Sequence, residues 1–157
     1  MIKVCVVFSG RGSNLKRLIE NSKKKDSGYH IPIVITDNPK SNGIGFAFQM
    51  GIPCVILPEK QWDIHFYEFV RKNKIDLVVL AGFMKILPNL LCSLLSGKCI
   101  NLHPSLLPLY KGLDTHRRVL LDGVKEHGCS VHYVSPVVDD GPIIAKAPVP
   151  VYSSDTA

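Results

Sequence analysis

The sequence predicts an α/β protein built on an open, mostly parallel sheet of about seven strands, with helices on both faces and a short antiparallel edge near the C-terminal end. Three observations predict it. Residues 2–8 (IKVCVVF) and 76–80 (DLVVL) are apolar almost throughout, without the alternation of a strand that has one wet face, so both read as strands buried on two sides. Strand-like and helix-like periods alternate four or more times along the chain, which is the order of crossover units. Turn residues separate nearly every pair of segments, as in SGRGSN, TDNP and AG.

Each element follows from its local pattern. After the strand at 2–8, Leu15, Leu18 and Ile19 recur at helical spacing and predict a helix from Leu15 to about Lys25. Residues 31–35 (IPIVI) form a second strand, ending at Thr36-Asp37-Asn38-Pro39. A helix over about 42–50 is weakened by Gly43 and Gly45 and stopped by Gly51. Residues 54–57 (CVIL) make a third strand, and a helix over about 62–72 is expected to bury Ile64, Phe66, Phe69 and Val70. The strand at 76–80 is followed by a short helix at about 88–95 and a strand at 99–102. The next segment, HPSLLP, carries two prolines that forbid a regular helix. A helix over 115–121 precedes strands at 128–134 and 143–150, and Pro148 and Pro150 require the last to be an edge or to carry a bulge. No repeat, linker or second domain is visible, and the whole reads as one Rossmann-like domain.

Composition narrows the function. In 157 residues, 46% are hydrophobic and 20% charged, which excludes a mainly disordered chain. No apolar run reaches the roughly 18 residues of a membrane span, and the first residues make a poor signal peptide. The five cysteines are odd in number and form no C-x-x-C, so they read as free thiols of a reducing cytoplasm. The net charge of +6 is scattered, and its one dense run, Lys23-Lys24-Lys25, suits a solvated helix end; nucleic acid and membrane are not expected partners.

In an open parallel sheet, ligands bind beyond the carboxyl ends of strands near the reversal of strand order. The first such segment, Gly10-Arg11-Gly12-Ser13-Asn14, joins a glycine turn to a helix start, and Ser13 and Asn14 are expected to cap that helix. Exposed backbone N–H groups and the helix dipole make this an anion site, best suited to a phosphate. A dinucleotide fingerprint competes, because Asp37 follows the second strand, but its third glycine is replaced by Leu15.

Asn101 and His103 stand two apart on a strand end, so their side chains share a face. Asn101 offers an amide donor and His103 an acid, base or cation. Asp139, in the polar loop Val138-Asp139-Asp140-Gly141-Pro142, is placed to orient an imidazole. Such a trio suits attack on a carbonyl-like carbon, with Asn101 and His103 stabilising an oxyanion and His103 with Asp139 moving a proton. Structural capping by the same residues is the competing reading. No G-x-S-x-G is present, and Ser105 is a weak nucleophile candidate. A metal reading would draw on His103, His116, His127, His132 and Asp139, whose spacing fits no zinc pattern; no metal is expected. His132 reads as a packed or supporting histidine. The mostly apolar loop from Leu80 to Leu87 can wall a flat aromatic ligand, and a hydrophobic turn onto the next helix is the competing reading.

The motifs SGRGSNL, DLVVLAGFMKIL, NLHPSLLPLYKG, THR and EHGCSVHYV…DDGP occur in the order found in the phosphoribosylglycinamide formyltransferase family, which the chain resembles from about residue 2 to residue 151. N-x-H-P-S-L-L-P is shared more widely, with methionyl-tRNA formyltransferase and formyltetrahydrofolate hydrolase. The resemblance implies transfer of formyl from 10-formyltetrahydrofolate, as co-substrate, to the amine of glycinamide ribonucleotide in purine synthesis. It implies catalytic Asn101, His103 and Asp139, and a phosphate loop at Gly12, Ser13 and Asn14. It places the folate pocket at Met84, Lys85, Ile86 and Leu87 and at Val137, Val138 and Asp140. The chain departs from the family at Asp140, where glycine is usual, and at Lys85, where arginine is common. Relatives usually continue with a further helix and strand, so residues 1–157 are expected to be a formyltransferase domain short of those elements, with a homodimer covering the apolar segment 143–150. A formyl-folate hydrolase or other formyl-folate transferase, and a non-enzymatic folate- or nucleotide-binding paralogue, are the alternatives. Methionyl-tRNA formyltransferase usually carries an RNA-binding domain for which 157 residues leave no room.

Overall fold

The computed structural model describes residues 1–157. The elements are β1 (Ile2–Phe8), α1 (Ser13–Ser22), β2 (Tyr29–Thr36), α2 (Asn42–Gln49), β3 (Cys54–Ile56), α3 (Trp62–Lys72), β4 (Leu77–Leu80), α4 (Asn89–Leu94), β5 (Cys99–His103), α5 (Thr115–Leu121), β6 (Glu126–Tyr133) and β7 (Ile143–Pro150). The seven strands make one sheet in the order β3-β2-β1-β4-β5-β6-β7. The first five are parallel, and β6 and β7 are added antiparallel. The predicted architecture is therefore the observed one.

The unbroken apolar run of β1 is explained by two cores. Cys5 and Val7 face a cluster completed by Phe66 and Val70 of α3 and Leu91 and Cys92 of α4. Val4, Val6 and Phe8 face the other, completed by Leu15 and Ile19 of α1 and Ala47 of α2. Burying both faces removes any position where a polar residue would be tolerated. Truncating a fully buried Phe66 would cost about 3–5 kcal/mol.

Two expectations about helices are corrected. Ile64 lies on the outer side of α3 and is 52% exposed, since Phe66 and Val70 are the buried residues of the helix, with Trp62, Tyr67 and Phe69 partly buried beside them. The first helix begins at Ser13 rather than Leu15 and ends at Ser22, and its N-cap is Gly12, in the left-handed region (φ 80°), with no side-chain cap bond. Gly12 is required for a second reason. A Cβ there would stand 2.8 Å from Gly43 Cα, so the two helix starts pack backbone to backbone.

β7 is exposed along its whole length, including Ile143, Ile144 and Val149. Val151 N–H donates to Lys125 O. By antiparallel alternation, residues 147 and 149 bond to β6 while Pro148 and Pro150 face the open edge, where their missing N–H groups cost nothing. No helix is long and apolar enough to cross a membrane.

Strand order reverses between β1 and β4, which are neighbours. The chain leaves β1 toward β2 and β3 and returns to start β4 on the other side. The segments after β1 and β4 therefore emerge side by side at this point, which is where ligands bind in sheets of this kind.

Candidate active site

The two segments at the reversal are tied by Ser9. Its N–H donates to Gly82 O (3.0 Å), and its hydroxyl accepts from Met84 N–H (2.9 Å) while donating to Asp37 Oδ1 (2.6 Å). Asp37 is thus occupied by a buried hydroxyl, which weakens the dinucleotide reading that needed it for a ribose. Asn38 Nδ2 donates to Ser9 O (3.0 Å) and Ser41 Oγ to Gly10 O. The glycine turn is held from below while its upper side stays open.

At that turn Ser13 and Asn14 are exposed, and neither side chain hydrogen-bonds within the protein. Being helical rather than capping, they leave the first-turn N–H groups of α1 unsatisfied, which is the geometry that receives an anion. Asn14 also lines a cleft of about 590 Å³ that reaches Asn101, with Arg17, Leu18, Ile100 and Val131 along its wall.

The polar cluster assembles around Asp139. Pairing of β5 with β6 sets Asn101 opposite His132, and Asn101 Nδ2 lies 3.1 Å from His132 Nε2. The other ring nitrogen of His132, Nδ1, donates to Tyr133 O (2.9 Å), so Nε2 is the acceptor for the Asn101 amide. His103 Nδ1 is 3.3 Å and His132 Nε2 3.7 Å from Asp139 Oδ1. His103 Nε2 donates to Tyr110 O at 2.9 Å. The second carboxylate oxygen of Asp139 accepts from Gly112 N–H at 2.9 Å. His103 and His132 are buried, and the Asp139 side chain is 9% exposed. Asp139 has φ 54°, a left-handed conformation in which a non-glycine residue is strained.

Gly141 makes this loop possible. A Cβ at Gly141 would lie 1.7 Å from Tyr133 O, so only glycine lets residues 139–141 fold back against the end of β6. Asp140 is exposed and pairs with Lys111 Nζ.

The remaining expected site residues differ in exposure. Met84, Ile86, Val137 and Val138 present their side chains to solvent. Lys85 Nζ lies 5.5 Å from the Trp62 ring centroid, and Trp62 packs edge-on against Phe83. Leu87 is buried in the core. Ser105 is fully buried and donates to Leu109 O (2.6 Å), a structural bond that leaves no free nucleophile.

Three partners were not legible beforehand: the Tyr110 carbonyl, the Gly112 N–H and the pairing of Asn101 with His132. The first two are main-chain groups without a sequence signature. The third depends on strand register. His116 and His127 form a separate pair, Nδ1 to Nε2 at 2.9 Å. Burial, followed by the neighbouring His116 and His103, lowers the pKa of His127 below 6.5, and its Nδ1 has no partner.

The chain, with its doubly wound sheet and histidine–carboxylate cluster, belongs to the formyl transferase family, which it matches over residues 2–157. Among relatives, a phosphoribosylglycinamide formyltransferase of Haemophilus influenzae is 36% identical over 162 residues, covering 99% of this chain and 76% of that one. The crystal structure of phosphoribosylglycinamide formyltransferase from Anaplasma phagocytophilum superposes with a TM-score of 0.94 at 43% identity, covering 99% of this chain and 75% of that chain. The trifunctional purine biosynthetic protein adenosine-3 of Bos taurus is 40% identical over 160 residues, 98% of this chain. This chain spans only 16% of that relative's length and about three quarters of the length of the first two.

Proposed function

We propose that this protein transfers the formyl group of 10-formyltetrahydrofolate to the primary amine of glycinamide ribonucleotide. The observation that carries the reading is the set Asn101, His132, Asp139 and His103, whose successive side chains approach to 3.1, 3.7 and 3.3 Å. The ribonucleotide phosphate sits on the open turn at Gly12, Ser13 and Asn14. The flat folate ring lies against Met84, Lys85, Ile86, Leu87, Val137, Val138 and Asp140. No covalent enzyme intermediate is needed. The amine nitrogen attacks the formyl carbon and forms the new C–N bond, leaving an oxyanion. The Asn101 amide, oriented by His132, donates to that oxygen, and His103 supplies positive charge beside it when its ring carries both protons. Only the cationic ring can donate to Tyr110 O and Asp139 together. Asp139 takes a proton from the attacking nitrogen, directly or through water, and it passes to N10 as the C–N10 bond breaks.

Five free cysteines support a cytoplasmic location. The exposed apolar residues of β7 support a homodimer, and light scattering of a monomer at working concentrations would refute it.

Formyl transfer measured with both substrates tests the function. Formylated ribonucleotide is the expected product. Release of formate without added amine would reassign the site to a hydrolase, and binding without turnover to a non-enzymatic paralogue.

A further inference from the structure

We infer that Arg118, on the outer side of α5, is a positioning residue that clamps loop residues 110–113 and through their backbone aims both His103 and Asp139. The inference rests on the transfer reading above and deepens it.

Two of the contacts that orient the reacting groups come from one short stretch of main chain. Tyr110 O receives His103 Nε2 at 2.9 Å, and Gly112 N–H donates to Asp139 Oδ2 at 2.9 Å. That stretch is not self-supporting. Tyr110, Gly112 and Asp114 all have left-handed backbones, with φ of 54°, 81° and 54°, and residues 110–113 lie in no helix or strand.

Arg118 adds support from α5, beside the Lys111–Asp140 ion pair that ties the same stretch to the 139–141 loop. Its Nη1 donates to Lys111 O (2.7 Å) and to Leu113 O (3.3 Å), the carbonyls on either side of Gly112. Its guanidinium lies 5.4 Å from the Tyr110 ring centroid. The Tyr110 hydroxyl donates to Asp122 Oδ2 (2.9 Å), just past the end of α5. The helix itself is anchored by Thr115 and Val119, both buried. A planar guanidinium can hold two carbonyls and a ring face at once, whereas a lysine ammonium lacks the plane to do so. Because Arg118 is exposed, its contacts add little to global stability, and their effect is local order in the loop.

The test uses the intact chain with Arg118→Ala and Arg118→Lys. Both should lower kcat roughly ten- to a hundredfold, the scale of a small misplacement of reacting groups, with KM for either substrate and the melting temperature nearly unchanged. In an Asp139→Asn background Arg118→Ala should cost less than in the wild type, because one of the two groups it acts through is already disabled. Unchanged kcat, or an equal loss in both backgrounds, would overturn the inference. A second readout does not need turnover. The His103 Nε2–H proton, protected by Tyr110 O, should be visible by NMR in the wild type and lost in Arg118→Ala; its persistence would overturn the inference. If the wild type transfers no formyl group, the transfer reading fails, and this signal still decides the clamp.

Discussion

At the residue scale, the Asn101 amide is the group whose orientation matters most. Its nitrogen faces His132 Nε2, so its second N–H and its oxygen remain to meet substrate. Replacing Asn101 or His103 by Ala, or Asp139 by Asn, should each lower turnover at least about a hundredfold, the usual loss for one oxyanion donor. Circular dichroism should stay native-like. Near-full turnover of any one variant would remove that residue from the mechanism. Gly141→Ala is a different case. Its Cβ would collide with a main-chain carbonyl 1.7 Å away, so the loop must shift. A loss of roughly 2–4 kcal/mol in urea unfolding is expected, together with lost activity, since Asp139 rides on the same loop. Unchanged unfolding would show that the loop relaxes without cost.

At the element scale, the start of α1 and the start of α5 carry separate predictions. The open first turn of α1 should discriminate for phosphate, so glycinamide ribonucleotide should bind far better than its dephosphorylated analogue. Equal affinities by calorimetry would remove the phosphate from that turn, and tighter binding of NADH would revive the dinucleotide reading. Near α5, the pKa of His127 is lowered mainly by burial and then by His116 and His103. An unfolded histidine takes its proton near pH 6.5, whereas the folded one takes it only at lower pH. Between those values the unfolded chain holds more protons. The contribution is full above about pH 6.5 and is lost as pH falls toward the folded value. His127→Gln should therefore flatten the pH dependence of unfolding free energy between neutral and mildly acidic pH. An unaltered slope would show that other groups carry it.

At the scale of the whole molecule, the two cores on opposite faces of one sheet make its thiols reporters of global opening. Burial pushes the Cys5 thiol up to about 12, and Cys92 and Cys99 are raised as well. Cys54 and Cys129 are only partly buried. A thiol reagent should label the latter two in the folded protein, and Cys5 and Cys99 only at the rate of global unfolding. Fast labelling of Cys5 would mean that β1 opens locally, against its central place in the sheet.

The pattern of residues by itself determined the α/β class, the succession of elements, the parallel core with an antiparallel edge, and the candidates Asn101, His103 and Asp139. These follow from local physics: apolar periodicity, helix-breaking residues and the alternation of side chains along a strand. The sequence places caps at Ser13 and Asn14 because Ser and Asn are strong caps on average, whereas α1 begins at Ser13 behind Gly12, which packs on Gly43. Ile64 is exposed although apolar, because hydrophobicity alone does not say which side of a helix the sheet will cover. Only the tertiary structure decided that Asn101 meets His132, that Ser9 occupies Asp37, and that main-chain atoms of Tyr110 and Gly112 complete the cluster. Those contacts join residues far apart in sequence through strand register and left-handed loop backbones. Neither leaves a local trace, because backbone donors and acceptors are the same in every residue, and only their placement in space differs.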